Sequence, residues 1–217
     1  MTSAAPKVSS FEDLYAEIQA LPEGVTGEIL EPGVIHKTMG RPGRKHRYSA
    51  KQALRALARF DVDHGGAGWW IEVAPEVRFG ARMFDPDLAG WRVERVPAMP
   101  EDNPIDILPD WTCELLSPGT AREDRLIKLP HYALSGVPWI WLVDPVLRTI
   151  EVYETVKGRA TLATTAEGTD SVALPPFDEE IAAGAWWLPA VAPTPPPAPP
   201  PVRAVEPPAK RRPRAKR

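Results

Sequence analysis

Six successive residues, Trp139-Ile140-Trp141-Leu142-Val143-Asp144, hold no polar side chain before the last. A run so short and so continuously apolar suits a strand buried on both faces. The next apolar stretch, Arg148 to Glu154, alternates apolar and polar residues and follows Pro145. Alternation of period two is the mark of a strand with one face buried, so the two stretches should pair as a hairpin. Ahead of them, a helix should begin near Thr120 and end at Gly136, a residue free to take the left-handed conformation that closes helices. Strand, helix and strand in such order lead to an α/β fold, a mixed sheet flanked by helices.

The rest of the folded part fits that frame. Ser9 with Glu12 reads as a capping box, and Phe11, Leu14, Ile18 and Leu21 recur at helical spacing until Pro22 and Gly24. A strand pair follows around GEILEPGVIHK, punctuated by Pro32-Gly33. RPGRK reads as a loop, and Ser49 with Gln52 reads as a second capping box, opening a helix with Ala53, Leu54 and Leu57 on its buried stripe. DVDHGGAG reads as a flexible turn. WWIEV, EVRFG, LAGWRVE and WTCELL read as strands, with a loop from Pro97 to Pro109 between the last two. Weaker strands extend to about Leu174, and PPFDEEIAAGAWW supplies a last helical turn.

Composition sets the limits. A hydrophobic content of 43% and eight Trp support a packed core. No run of 18 or more apolar residues occurs, so no spanning helix is expected. The first residues lack a signal-peptide pattern, and Cys113 is the single cysteine. Both point to the reducing cytoplasm. After Pro189 the composition changes. Ten of the 27 prolines lie from Val191 to Arg217, with no aromatic residue. The expectation is a domain over 1–190 and a disordered, basic, Pro-rich tail over 191–217. That tail holds seven Lys/Arg and one Glu, which leaves 19 basic and 28 acidic residues in the first 190. An acidic body is not the usual signature of a tight DNA binder. The basic tail reads equally as a phosphate-binding arm or a solvated solubility tail.

Three residues carry candidate chemistry. Asp87 follows Pro86, Glu114 lies inside the apolar stretch from Trp111 to Leu116, and Lys128 falls on the helix beyond. Two carboxylates are the oxygen donors that a hard divalent cation takes. A lysine beside them would stabilise charge on an attacked phosphate. The plainer reading is a turn Asp, a strand Glu facing solvent, and a surface Lys128 paired with Asp124 four residues back, worth about 0.3–0.5 kcal/mol. Against it stands the apolar setting of Glu114, where an unpaired charge costs several kcal/mol. Glu28 and Glu76 offer further carboxylates, although a solvated strand face is the default for each. His46 and Tyr132 are weaker candidates for contacts to substrate, with capping and packing as their plain roles. Ser117 lacks the Gly-x-Ser-x-Gly elbow of a nucleophile and reads as a turn residue. The chain also lacks a phosphate-binding Gly-rich loop with Lys, a His-Glu-x-x-His helix and paired cysteines.

Taken together, GEILEP…RKHRYSAKQAL, WWIEVAPEVRFG, DPDLAGWR, WTCELLSPGTAREDRLIKLPHYALSGVPWIWLVDP and RTIEVYE resemble the restriction-endonuclease-like superfamily, written PD-(D/E)XK. Within it the chain is similar to the Uma-type restriction-endonuclease family. The resemblance implies a restriction-endonuclease-like sheet core and metal-dependent hydrolysis of nucleic-acid phosphodiesters, with DNA as first partner. It implies Mg²⁺ or Mn²⁺ at Asp87 and Glu114, with the Leu115 carbonyl as a further ligand, and Lys128 as the catalytic cation. It implies no membrane and allows a homodimer. The chain departs from the superfamily at Leu116, where the pattern has its lysine. The resemblance therefore implies either a lysine moved to Lys128 or a nuclease fold turned to nucleic-acid binding or regulation. A structural protein that recruits partners through its Pro-rich tail is a further alternative.

Overall fold

The structure, a computed structural model, describes residues 9–39, 42–168, 170–177 and 179–189. The tail expected over 191–217 lies outside the described residues. The central sheet has six strands in the order β10-β9-β8-β7-β6-β3. They are β3 (Trp69–Val73), β6 (Leu88–Arg92), β7 (Trp111–Leu115), β8 (Trp139–Asp144), β9 (Thr149–Val156) and β10 (Arg159–Glu167). Only β7 and β8 run parallel, and every other neighbouring pair in this sheet is antiparallel. The sheet is thus mixed, as the sequence implies. The apolar run of β8 sits inside it, with Ile140 to Val143 buried.

A second sheet of four strands, β2-β1-β5-β4, is built from β1 (Val25–Glu31), β2 (Val34–Met39), β4 (Val77–Phe79) and β5 (Arg82–Phe84). A small hairpin of β11 (Ser171–Ala173) and β12 (Glu180–Ala182) closes the described chain, followed by a 3-10 turn from Ala183 to Trp186. The segment expected to be a last helical turn is therefore strand first and helical only at its end.

The two faces of the central sheet hold separate cores. On one face, α2 (Arg44–Leu57) sets Ala53 and Leu57 against Leu115, Trp141, Phe177 and Trp186. On the other, α4 (Leu129–Ser135) packs Leu129, Tyr132 and Ala133 against Ala89, Trp91, Ile140 and Leu142. The α1 helix (Phe11–Gln19) covers the second sheet with Leu14 and Ile18.

Three local expectations change. The box at α1 uses Ser10 and Asp13, one residue later than expected. The α2 helix opens at Arg44 behind Gly43, so the last two residues of the expected RPGRK loop are helical. Ser49 does not cap it. It is buried in mid-helix and its hydroxyl donates to the Trp186 carbonyl at 2.7 Å. The turn expected to be flexible is tied down by Asp61, which is fully buried. Its carboxylate accepts from the Asp63 and Ile71 amides, both at 3.3 Å, and meets His64 Nδ1 at 2.5 Å.

The helix between β7 and β8 has an unusual middle. A short α3 (Ala121–Glu123) widens into a π turn (Asp124–Lys128) before α4. The Leu129 amide donates to the Asp124 carbonyl, five residues back. Pro130 stands at the start of α4 and has no amide to continue the ladder. Such π turns are frequent at functional sites. Here the turn carries Asp124 and Lys128 inward, both buried.

Candidate functional site

Asp87 stands just before β6, and Glu114 and Leu115 end β7. The antiparallel ladder of these strands ends on Leu88 opposite Cys113, so one step further brings Asp87 beside Glu114. Contact is direct, because the Leu115 amide donates to Asp87 Oδ2 at 2.8 Å. The two carboxylates expected to converge from the sequence do meet at one strand end.

Lys128 reaches the same place from the π turn. Its Nζ lies 2.8 Å from Glu28 Oε1, 3.4 Å from Glu114 Oε1 and 3.7 Å from Asp124 Oδ1. The expected Asp124–Lys128 pair exists, but not on the surface. Lys128 is only 6% exposed, and Glu114 and Asp124 are each 2% exposed. Burial pulls the ammonium toward neutrality, yet Glu114, Glu28 and Asp124 together outweigh it and raise the pKa. The lysine is therefore a fixed cation at the centre of three acids.

Both weaker candidates also join the site. Tyr132 donates its hydroxyl to Glu114 Oε1 at 2.6 Å, so the π turn and Pro130 leave it facing the same way as Lys128. His46 belongs to the first turn of α2, and its Nε2 lies 3.2 Å from Asp87 Oδ1. Burial disfavours the imidazolium, but the bond to Asp87 and its charge prevail and raise the His46 pKa. Glu28, whose default was a solvated strand face, is instead a cluster member that also accepts the Asp85 amide at 2.8 Å. Glu76 is held elsewhere, accepting from Tyr15 at 2.6 Å and from Gln19. Ser117 pairs its hydroxyl with Thr120 at 3.0 Å and serves its turn, as expected.

One member has no signal in the sequence. Asp85 lies two residues before Asp87, and burial together with Glu28 and Glu76 pushes its pKa up to about 8. Asp124 is raised to about 6, by burial first and with Lys128 acting against the shift. Glu114 is raised well above the carboxylate range by burial, again opposed by Lys128. Five carboxylates thus share one lysine and one histidine, and the strain of that excess appears as a drive to bind protons. A Tyr132→Phe variant removes the hydroxyl bond to buried Glu114. It should cost about 1–3 kcal/mol, the range for leaving a buried polar group without its hydrogen bond, measured as a lower denaturation midpoint.

The donor chemistry suits a hard divalent cation, since every acid offers oxygen. The arrangement does not. Glu114 Oε1 already takes Tyr132 and Lys128, while Asp87 takes His46 on one oxygen and the Leu115 amide on the other. Among the described residues, no three of His, Cys, Asp and Glu gather as a metal-holding group. Two surface hollows, of about 730 and 520 Å³, are lined by none of the cluster residues. These contacts engage Glu114 and Asp87 internally, while the Asp87 side chain stays 28% exposed and Asp85 Oδ1 is buried without a hydrogen-bond partner.

Comparison with known proteins places this arrangement. The family model described as "Putative restriction endonuclease", Uma2, matches residues 11–185, from the first residue of α1 to the 3-10 turn after β12. The chain belongs to the Uma2 family. A solved structure titled as a putative nuclease belonging to DUF820, from Anabaena variabilis, shares the fold with a TM-score of 0.62. The two chains are 22% identical over 83% of this chain and 99% of the other. No curated protein matches. The restriction-endonuclease-like architecture expected from the sequence is thus the fold of this Uma2 chain. In the helices, no described segment is long and apolar enough to cross a membrane.

Proposed function

We propose that this chain is a nucleic-acid-binding protein on the nuclease fold, with a carboxylate cluster that its own lysine holds closed and hydrolytically silent. One observation carries the reading. Lys128 Nζ lies within 3.7 Å of Glu28, Glu114 and Asp124, and so already pairs with one of the two acids that would share a divalent ion. The lysine neutralises Glu114 at the cost of no bound metal. Fold alone does not carry activity, because chemistry lives in the site. Nucleic acid as the partner, and DNA as its first form, rests on the family.

A second reading is favoured by a specific observation, the excess of acids. Among the described residues, Lys128 and His46 are the cations paired within the group of Glu28, Asp85, Asp87, Glu114 and Asp124, and three of these acids have raised pKa values. A divalent cation would relieve that excess. In this reading the chain is a metal-dependent endonuclease, Asp87 and Glu114 hold Mg²⁺ or Mn²⁺, Lys128 faces the phosphate, and His46 and Tyr132 give way to substrate.

Two titrations separate the readings. A labelled DNA duplex should bind in EDTA without any divalent ion, and calorimetry with Mn²⁺ should give the same heats for the wild type, Asp87→Ala and Glu114→Ala. Mn²⁺ binding that disappears in both variants would replace the first reading by the second. No duplex binding, in EDTA or in Mg²⁺, would remove both nucleic-acid readings.

A further inference from the structure

The acidic balance of the body conceals one region of opposite sign. From Pro32 to Phe60 the chain has eight Lys/Arg and no Asp or Glu. Most of these cations belong to α2 (Arg44–Leu57). On a helix of 3.6 residues per turn, Arg44, Arg47, Lys51 and Arg55 fall within about 80° of one another. Ser49, Ala53 and Leu57, the buried residues, lie on the opposite side. Arg44, Arg47, Lys51 and Arg55 are all exposed. Among the described residues, none of these four pairs with a carboxylate. Arg47 bonds only to the Pro42 carbonyl.

The stripe also has a definite relation to the cluster. His46, in the first turn of the same helix, lies 3.2 Å from Asp87. The α2 helix therefore starts at the site and runs away from it, with its basic face outward. The acids of this strand end that stay ionised repel a phosphodiester. A nucleic-acid strand approaches such a place only where neighbouring cations offset the repulsion, and α2 is the element that supplies them. The stripe runs eleven residue steps from Arg44 to Arg55, about 16 Å at 1.5 Å per residue, or about five base steps of 3.4 Å along one strand. A membrane surface is the poorer match. An interfacial helix buries an apolar face in lipid, whereas the apolar face of α2 is already packed in the core.

We infer that the exposed face of α2, through Arg44, Arg47, Lys51 and Arg55, is the surface that tracks a nucleic-acid phosphate backbone beside the carboxylate cluster. The inference rests on the nucleic-acid reading above. It gives the partner its place on the protein, on the folded body and not on the basic tail.

The test uses the full chain and a labelled DNA duplex, with affinity measured against salt. The variant carries Arg44→Ala, Lys51→Ala and Arg55→Ala. A control of equal charge change carries Arg148→Ala, Lys157→Ala and Arg159→Ala, exposed residues at the ends of the β9–β10 hairpin. The α2 variant should bind on the order of 10- to 100-fold more weakly at low salt. Its plot of log affinity against log salt should flatten by about 2–3, since each phosphate contact contributes about 0.9 to the slope. The control should keep the wild-type slope. Its melting temperature and that of the α2 variant should stay within a few degrees of wild type, because all six positions are exposed. Equal slopes for wild type and α2 variant would overturn the inference while leaving the nucleic-acid reading in place. A wild type that fails to bind duplex would remove that reading and the inference with it. So would retention on vesicles of phosphatidylserine and phosphatidylcholine without duplex binding, which would assign the stripe to a membrane surface.

Discussion

Replacing Lys128 with Met should destabilise the fold by about 3–5 kcal/mol, the cost of leaving buried charges without their partner. A surface lysine would give about a tenth of that. The difference follows from position. Nζ lies within 3.7 Å of three acids and the residue is 6% exposed. Met retains most of the stem's packing, so the measured loss reports charge and not volume. Urea denaturation at neutral pH gives the value directly. Adding Glu114→Gln to the variant should recover part of the loss, because Gln asks for no counter-charge. A double-mutant cycle should then show coupling of 1 kcal/mol or more, within the usual range of about 0.5–3 kcal/mol for residues in one ion-pair network. A loss below about 0.5 kcal/mol would mean that Lys128 is solvated in solution and that the cluster is open.

The second large effect is a pH dependence at Asp85. Its pKa is about 8 in the folded chain, against about 3.9 when unfolded. The folded state therefore holds a proton on this group between these values, and the unfolded state does not. Stability from this group is highest at low pH, falls as pH rises from about 4 to about 8, and is constant above. Asp85→Asn keeps a neutral, proton-donating side chain at every pH. In EDTA, the variant should match the wild type near pH 4 and exceed it near pH 8 by about 2–5 kcal/mol. The direction is opposite to that of a salt-bridged carboxylate. Parallel stability curves for the two proteins from pH 4 to 8 would show that Asp85 is ionised without cost, and that another cation reaches it.

Much of this cluster is legible in the sequence. Glu114 is marked by the apolar stretch from Trp111 to Leu116 around it, although a Glu between Cys113 and Leu115 also fits the alternation of a half-buried strand. Lys128 and Asp124 share a helical face by their spacing alone. The apolar run from Trp139 to Val143 announces β8, the strand that pairs beside β7 and its Glu114. What the sequence hides are contacts between distant elements. Glu28 and Asp85 meet through β1 and the end of β5, a pairing that no local pattern marks. The start of α2 is obscured because Gly43 offers no capping side chain and the first turn holds no apolar residue that is buried. The capping signature at Ser49 lies inside the helix instead. The basic stripe is hidden by counting. The whole chain carries a net charge of −3, and the sum erases a helix with cations on one face and no acid on any.

The placement of His46 and Tyr132 gives the closed cluster its logic. Each engages one of the two carboxylates that a metal would need, and each comes from a different face of the sheet. Lys128 then pairs with Glu114 from beside Glu28 and Asp124. Under the proposed reading, it is closure by these partners that keeps the site silent, and not only the Leu116 that stands two positions after the second acid. The buried setting also makes closure self-consistent, since exposing any one acid would leave its partners uncompensated.

The most direct test is the incubation of supercoiled plasmid DNA with the full chain in Mg²⁺ and in Mn²⁺, followed by electrophoresis, alongside Asp87→Ala. A closed, silent cluster predicts that wild type and variant retard the plasmid at low salt and leave it supercoiled in both metals. Nicked or linear product with the wild type, absent with Asp87→Ala, would contradict it and establish the chain as a metal-dependent nuclease.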